Sequence, residues 1–138
     1  MKPVLGVDLG QARTGVALSD ELRMLAHPLE TIEGGSAEKV ARRLRQIVAE
    51  KEVDCVVVGL PRQMNGVLGP AAENAQRFVE KLRSLVSCEV VTWDERLSTV
   101  AAERALRDAG KKTRETRNIR DQVAAQIILQ SYLDRLNA

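Results

Sequence analysis

The hydrophobic positions of this chain follow two regimes. The first third carries short apolar runs separated by turn residues. Val4 to Asp8 is such a run, closed by an acid, and reads as a buried strand. Thr14 to Ser19 reads as a second strand, joined to the first by the tight Gly10-Gln11-Ala12-Arg13 turn. Leu25 to Ile32 predicts a third, at or near a sheet edge, because Pro28 cannot donate to a central ladder. Three short strands in succession predict an antiparallel meander.

Beyond Gly34-Gly35-Ser36 the period lengthens. Val40, Leu44, Ile47 and Val48 recur at helical spacing. Cys55 to Val58 is continuously apolar, as expected of a parallel strand covered on both faces. Pro70 opens a second helix with Ala75, Phe78, Val79, Leu82 and Val86 on its apolar side. Glu89 to Trp93 reads as a fifth strand, Leu97 to Ala109 as a helix stopped by Gly110, and Ile119 to Leu136 as a last helix. The order βββαβαβαα predicts an α/β fold: a five-stranded mixed sheet with helices on both faces.

Composition narrows the class. With 138 residues, 44% hydrophobic and 29% charged, the chain is expected to fold as one domain over 1–138. No apolar run is long enough for a bilayer, and Asp8 comes too early for a signal peptide, so the expected location is the cytoplasm, with no membrane partner. A net charge of +2 selects no partner. Cys55 and Cys88 read as small strand residues rather than a disulfide, and with the single His27 they are too few for structural zinc. Trp93, Phe78 and Tyr132 are the only aromatics, which argues against modules that read single strands by stacking several bases.

Ligands of open α/β sheets bind beyond the carboxyl ends of the parallel strands. Three strand ends carry unusual residues: Asp8-Leu9-Gly10, Gly59-Leu60-Pro61 leading into Arg62, and Asp94-Glu95-Arg96. If these strands are parallel, Asp8 and Glu95 share one rim. Two acids there repel one another unless a divalent cation sits between them, and Mg²⁺ or Mn²⁺ favours such carboxylate oxygens. Asp121, in the last helix, would complete the set. Paired metals about 4 Å apart can activate a water and stabilise the leaving oxygen of a phosphodiester. Each acid also has a plainer reading. Asp8 could form a turn before Gly10. Glu95 could be a solvated acid at a helix start, a part that suits Asp94 better. Asp121 could pair with Asn118 as a variant capping box. Trp93 suits core packing better than base stacking.

Arg104, Arg107, Lys111, Lys112, Arg114, Arg117 and Arg120 lead into Asp121 against only Asp108 and Glu115. A charge run is usually a solvated face. Beside an acidic site it reads as a phosphate-backbone contact, with Arg13, Arg62 and Arg96 near the strand ends as further candidates.

Val7-Asp8-Leu9-Gly10 with Arg13-Thr14-Gly15-Val16-Ala17 resembles the N-terminal motif of the YqgF/RuvX family. Val58-Gly59-Leu60-Pro61 with Met64-Asn65-Gly66 is similar to its second motif, and Asp94-Glu95-Arg96-Leu97-Ser98-Thr99 to its third. Asp121 with Ala124-Ala125 and Ile128 to Leu133 resembles its C-terminal signature. Ser98, where the family often has threonine, and Gln63, where it often has Asn or Lys, are small departures. The resemblance implies a ribonuclease H-like fold and a divalent-metal nuclease with catalytic, metal-binding acids at Asp8, Glu95 and Asp121. It implies a nucleic-acid substrate, with 5′-end maturation of pre-16S rRNA favoured here and Holliday junctions or other branched DNA as the alternative. With no visible dimer device, a monomer or weak homodimer is expected. Two rivals remain at this point. Asp8-x-Gly10 followed by Thr14-Gly15 also resembles a phosphate loop of actin-like ATPases, which close two such domains around ATP. A non-catalytic nucleic-acid-binding or scaffold domain would keep the shape without the reaction.

Overall fold

A computed structural model describes residues 1–63, 65–107 and 113–138, of which 104–107 are described by backbone alone. Five strands form one sheet: β1 (Val4–Leu9), β2 (Arg13–Ser19), β3 (Ala26–Glu33), β4 (Cys55–Leu60) and β5 (Glu89–Asp94), in the order β3-β2-β1-β4-β5. β1 pairs antiparallel with β2, and β2 with β3, while β1, β4 and β5 run parallel. The sheet is therefore mixed, as the element order predicts, with β3 at one edge. Pro28 of that edge strand sits where the pairing register shifts between Val16 and Ala17. A residue without an N–H is tolerated at such an irregularity because no ladder bond is lost there.

Helices α1 (Ala37–Lys51) and α2 (Pro70–Arg83) cover one face, burying Val40, Leu44, Ile47, Phe78, Val79 and Leu82 against Leu5, Val7, Val56 and Val58. The other face is covered by α4 (Arg114–Leu136), with Val100 of α3 (Val100–Arg107) beside it. Each Leu or Ile fully withdrawn from water in these layers contributes about 1.5–3 kcal/mol. Strands β1 and β4 lie between both layers, which is why they are almost uninterruptedly apolar.

Helix α4 presses unusually close to the sheet because glycines face it. A Cβ on Gly15 would stand 1.8 Å from the Asp121 carbonyl oxygen, and one on Gly6 would stand 2.6 Å from Leu129 Cβ. The same helix seals the open edge of β3. The Gln126 amide donates to the Ala26 carbonyl, the Ala26 N–H donates to Gln130 Oε1, and Gln122 donates to Thr31 Oγ1. Gln126 and Gln130 thus cover backbone groups that would otherwise invite another strand, and Gln122, one turn earlier, holds a side chain of the same strand.

Three helix boundaries differ from the sequence reading, and the strand ends shift by one or two residues. Helix α4 starts at Arg114, not Ile119, with Thr113 as its cap accepting from the Thr116 N–H. Its first turns meet β3 through polar groups and leave Ile119 exposed, so no apolar stripe marks them. Helix α3 starts at Val100, because residues Glu95–Leu97 form a separate 3-10 turn; its expected end at Ala109-Gly110 lies outside the described residues. Helix α2 ends at Arg83, and Val86 packs against the core from the following turn. Cys55 and Cys88 are both free, and Cys88 lies just before β5. Among the described residues, no helix is long and apolar enough to cross a membrane.

Candidate active site

The parallel register sets Val7 beside Val58 and Gly59 beside Trp93. Asp8, Gly59 and Glu95 consequently reach the same carboxyl-terminal rim. Asp8 also pairs with Gly15 across the antiparallel ladder, and the missing Gly15 side chain lets the Asp121 backbone settle there. The strand ends and α4 thereby bring Asp8, Glu95 and Asp121 to the walls of one cavity of about 200 Å³, completed by the Gly10-Gln11-Ala12-Arg13 turn.

Asp94, not Glu95, serves the turn start: its Oδ1 accepts from the Arg96 N–H at 2.9 Å. Glu95 points inward and is only 5% exposed, so it is not a solvated helix-start acid. A Cβ on Gly59 would lie 3.1 Å from Glu95 Oε2 and 2.7 Å from Ile128 Cδ1, so glycine there makes room for this carboxylate. Asn118 and Asp121 are not a capping pair, because the helix begins a full turn before Asn118. The Asn118 carbonyl instead accepts from Thr31 Oγ1. Trp93 donates from Nε1 to Ser131 Oγ and meets Tyr132 edge-on, a packing role rather than a stacking platform.

Arg13 faces the acids directly. Its Nε donates to Asp121 Oδ2 at 2.6 Å, and it belongs to the cavity wall. Arg62 and Arg96 flank Asp94, with Arg96 Nη2 at 2.7 Å and Arg62 Nε at 3.5 Å from Oδ2. The Arg96 guanidinium holds the Asp94 carboxyl below its ordinary range. Arg62 also donates to the Gly66 carbonyl, steadying the loop after β4. Arg114, Arg117 and Arg120 occupy the first turns of α4, leading to Asp121, and Arg114 is bonded to Glu33. Lys111 and Lys112 lie outside the described residues. The sequence reading missed Gln11 and Ala12 as cavity walls and Gly59 as the support of Glu95; only Gly59's position at a strand end hinted at its part.

The donor set suits a hard divalent cation: the cavity offers carboxylate oxygens and neither thiolate nor imidazole. As placed, however, no three His, Cys, Asp or Glu side chains among the described residues stand together as a ready cation site. Asp121 Oδ2 is turned to Arg13, so a cation drawing on this carboxylate competes with that bond.

The family model described as "RuvX: Holliday junction resolvase" matches residues 2–135. The chain belongs to the RuvX family. Its relatives include a protein of Geobacillus kaustophilus, 52% identical over 132 residues that span 94% of this chain and 96% of that protein. A Geobacillus sp. WCH70 protein is 50% identical over 95% of this chain and 96% of its own length. A Bacillus cytotoxicus protein is 45% identical over 95% and 97%. All three carry the name "Putative pre-16S rRNA nuclease". Among solved structures, Thermus thermophilus RuvC bound to a Holliday junction superposes with a TM-score of 0.58 at 15% identity, covering 100% of this chain and 97% of that one. The fowlpox virus resolvase with its junction DNA gives 0.57 at 12% identity, covering 99% of each. At such identities these two likenesses show the fold, which is ribonuclease H-like.

Proposed function

We propose that this RuvX-family chain is a divalent-metal-dependent nuclease that hydrolyses phosphodiester bonds, acting as one domain in the cytoplasm. The observation that carries this reading is the convergence of Asp8, Glu95 and Asp121 on one cavity at the carboxyl-terminal rim. Asp8, Glu95 and Asp121 would hold Mg²⁺ or Mn²⁺ through carboxylate oxygens. Such a cation supplies Lewis-acid charge for the phosphate and lowers the pKa of an attacking water. The chain's own residues do the rest. Burial of Glu95 and its Gly59 support hold that carboxylate in one orientation. Arg13 stands where it can pass from Asp121 to a substrate phosphate. Arg62, Arg96, Arg114, Arg117 and Arg120 bind the flanking backbone by charge, together with Lys111 and Lys112.

The substrate we favour is the 5′ end of pre-16S rRNA, supported by the names of relatives at 45–52% identity. The family model's description supports branched DNA as the second reading. Two symmetric cuts in a junction normally need a two-fold dimer, whereas a monomer suffices for trimming. One preparation assayed on 5′-extended rRNA, linear DNA and four-way junctions, with Mn²⁺ or EDTA, tests both. Cleavage in EDTA would refute metal dependence. Symmetric junction cleavage by a dimer, with the rRNA left intact, would shift the substrate to DNA.

A further inference from the structure

A second cavity, of about 410 Å³, opens on the other side of the β1–β2 turn, between the start of α1 and one side of α2. Leu9, Gly10 and Gln11 border both this cavity and the acidic one, so one turn of backbone is the ridge between them. The ridge is packed backbone to backbone. A Cβ on Gly35 would stand 2.4 Å from the Gln11 carbonyl oxygen, so the loop before α1 supports it at a distance only glycine allows.

The walls divide by chemistry. Leu9, Val40 and Phe78, the chain's single phenylalanine, give an apolar floor. Asn74, Arg77 and Lys81 stand along one side of α2 at the mouth, three and four residues apart, and no acid lines the cavity among the described residues. Arg77 donates to Asn74 Oδ1, which leaves the Asn74 amide N–H groups directed elsewhere, and Lys81 is shared with the exposed Glu38. The size falls in the range of about 300–1,000 Å³ typical of small-ligand sites, which combine an apolar body with a few polar groups. A flat apolar group with hydrogen-bonding edges, carrying an anion, matches floor and mouth together.

We propose that this cavity takes one unpaired base of the substrate strand, next to the phosphate held at the acids, with the adjoining phosphate against Arg77 and Lys81. This rests on the nuclease reading and adds a requirement to it: the strand must be unpaired, or open a pair, at a fixed distance from the cut. Asn74 and Gln11 supply amide groups for the base edge. The scarcity of aromatics is consistent with this, since one base is held rather than a stacked row.

The test is a binding scan in EDTA by fluorescence anisotropy. The probe is an RNA hairpin with a short 5′ tail, which fixes the register, and an abasic site is moved along the tail. One position should lose at least about fivefold in affinity, the lower end of what a stacked base contributes. In Ala71→Trp, which fills the mouth from an exposed position, that position-specific loss should shrink to the level of its neighbours, whereas Arg77→Gln/Lys81→Gln, which keeps the cavity open, should weaken intact and abasic probes alike and keep the loss. A uniform abasic effect in the parent protein, or an undiminished loss in Ala71→Trp, would overturn the assignment. So would thermal stabilisation by free nucleoside monophosphate without any position-specific loss, which would make the cavity a mononucleotide site. Cleavage of the same hairpin in Mn²⁺ is read separately. A position-specific loss without cleavage would support the base cavity while refuting the nuclease reading.

Discussion

Arg13 and Asp121, 108 positions apart in the chain, are joined by a 2.6 Å bond from Nε to Oδ2. The pair ties the start of β2 to α4 and occupies one of the three carboxylates of the cavity. Both side chains are partly exposed, at 29% and 22%, so the pair contributes no more than about 1 kcal/mol to stability. Competition from this bond weakens cation binding by up to about fivefold. Arg13→Gln should therefore bind Mn²⁺ more tightly by that factor, while losing affinity for nucleic acid. Titration calorimetry with Mn²⁺ alone checks the first effect; an unchanged or weaker Mn²⁺ affinity refutes it.

The acids should separate chemistry from folding. Asp8→Asn, Glu95→Gln and Asp121→Asn should each cost several kcal/mol of transition-state charge stabilisation, which is at least about 100-fold in rate. Asp121→Asn should also lose up to about 1 kcal/mol of stability with its Arg13 pair. Urea denaturation beside the cleavage assay reads both quantities. An active Asp121→Asn, or an Asp8→Asn that does not fold, would return that acid to a structural role.

Two glycines should fail in different ways. A Gly15 side chain would collide with helix backbone, 1.8 Å from the Asp121 carbonyl oxygen, so α4 itself must move. Gly15→Ala should lose about 3 kcal/mol or more, the upper range for overpacking. A Gly59 side chain would first meet the tip of Ile128 and the Glu95 side chain rather than backbone. Gly59→Ala should stay folded and lose activity. Equal denaturation midpoints for the two variants would contradict this placement of α4.

Alkaline pH should weaken the fold. Burial pushes the Cys55 thiol up to about 11 from an ordinary 9.0, and the Tyr132 hydroxyl up to about 12 from 10.0. A raised folded pKa means the native state holds its proton more tightly than the unfolded chain. That contribution is fully present below about pH 9 and is lost as pH rises through about 11 to 12. The urea midpoint should fall over this window, and Cys55→Ala should flatten part of the fall. A midpoint that rises with alkaline pH would exclude the effect.

The basic start of α4 should be tunable through Glu33. Arg114 is bonded to this exposed acid, whose carboxyl the guanidinium holds below its ordinary range. Glu33→Gln should release Arg114 and strengthen nucleic-acid binding at low salt. Arg117→Glu should flatten the log–log salt dependence by about 0.7 on single strands or 0.9 on duplex DNA. Salt titrations of affinity that leave both variants on the parent line would make this stretch a solvated face.

What the sequence determined by itself are the features that local pattern must encode. Strands β1 and β4 are buried on both faces, and burial on both faces demands an unbroken apolar run, so their positions are written directly. Alternation of such runs with helical periods yields the mixed sheet, and an acid ending a buried strand stands out, as Asp8 does. Only the tertiary structure decided the rest. Glu95 and Asp94 are neighbours of the same type, and which one turns inward depends on the space above Gly59, contributed by another strand. Asp121 looked like half of a capping pair because its helix begins in polar turns that carry no apolar stripe. Its approach to Asp8 depends on Gly15, in the neighbouring strand, having no side chain. Gln122, Gln126 and Gln130 carry no signal in the sequence, and their part is set by β3 lying beside them. In each case the deciding partner is far away in the chain, and a contact made across the sheet leaves no period in the sequence on either side of it.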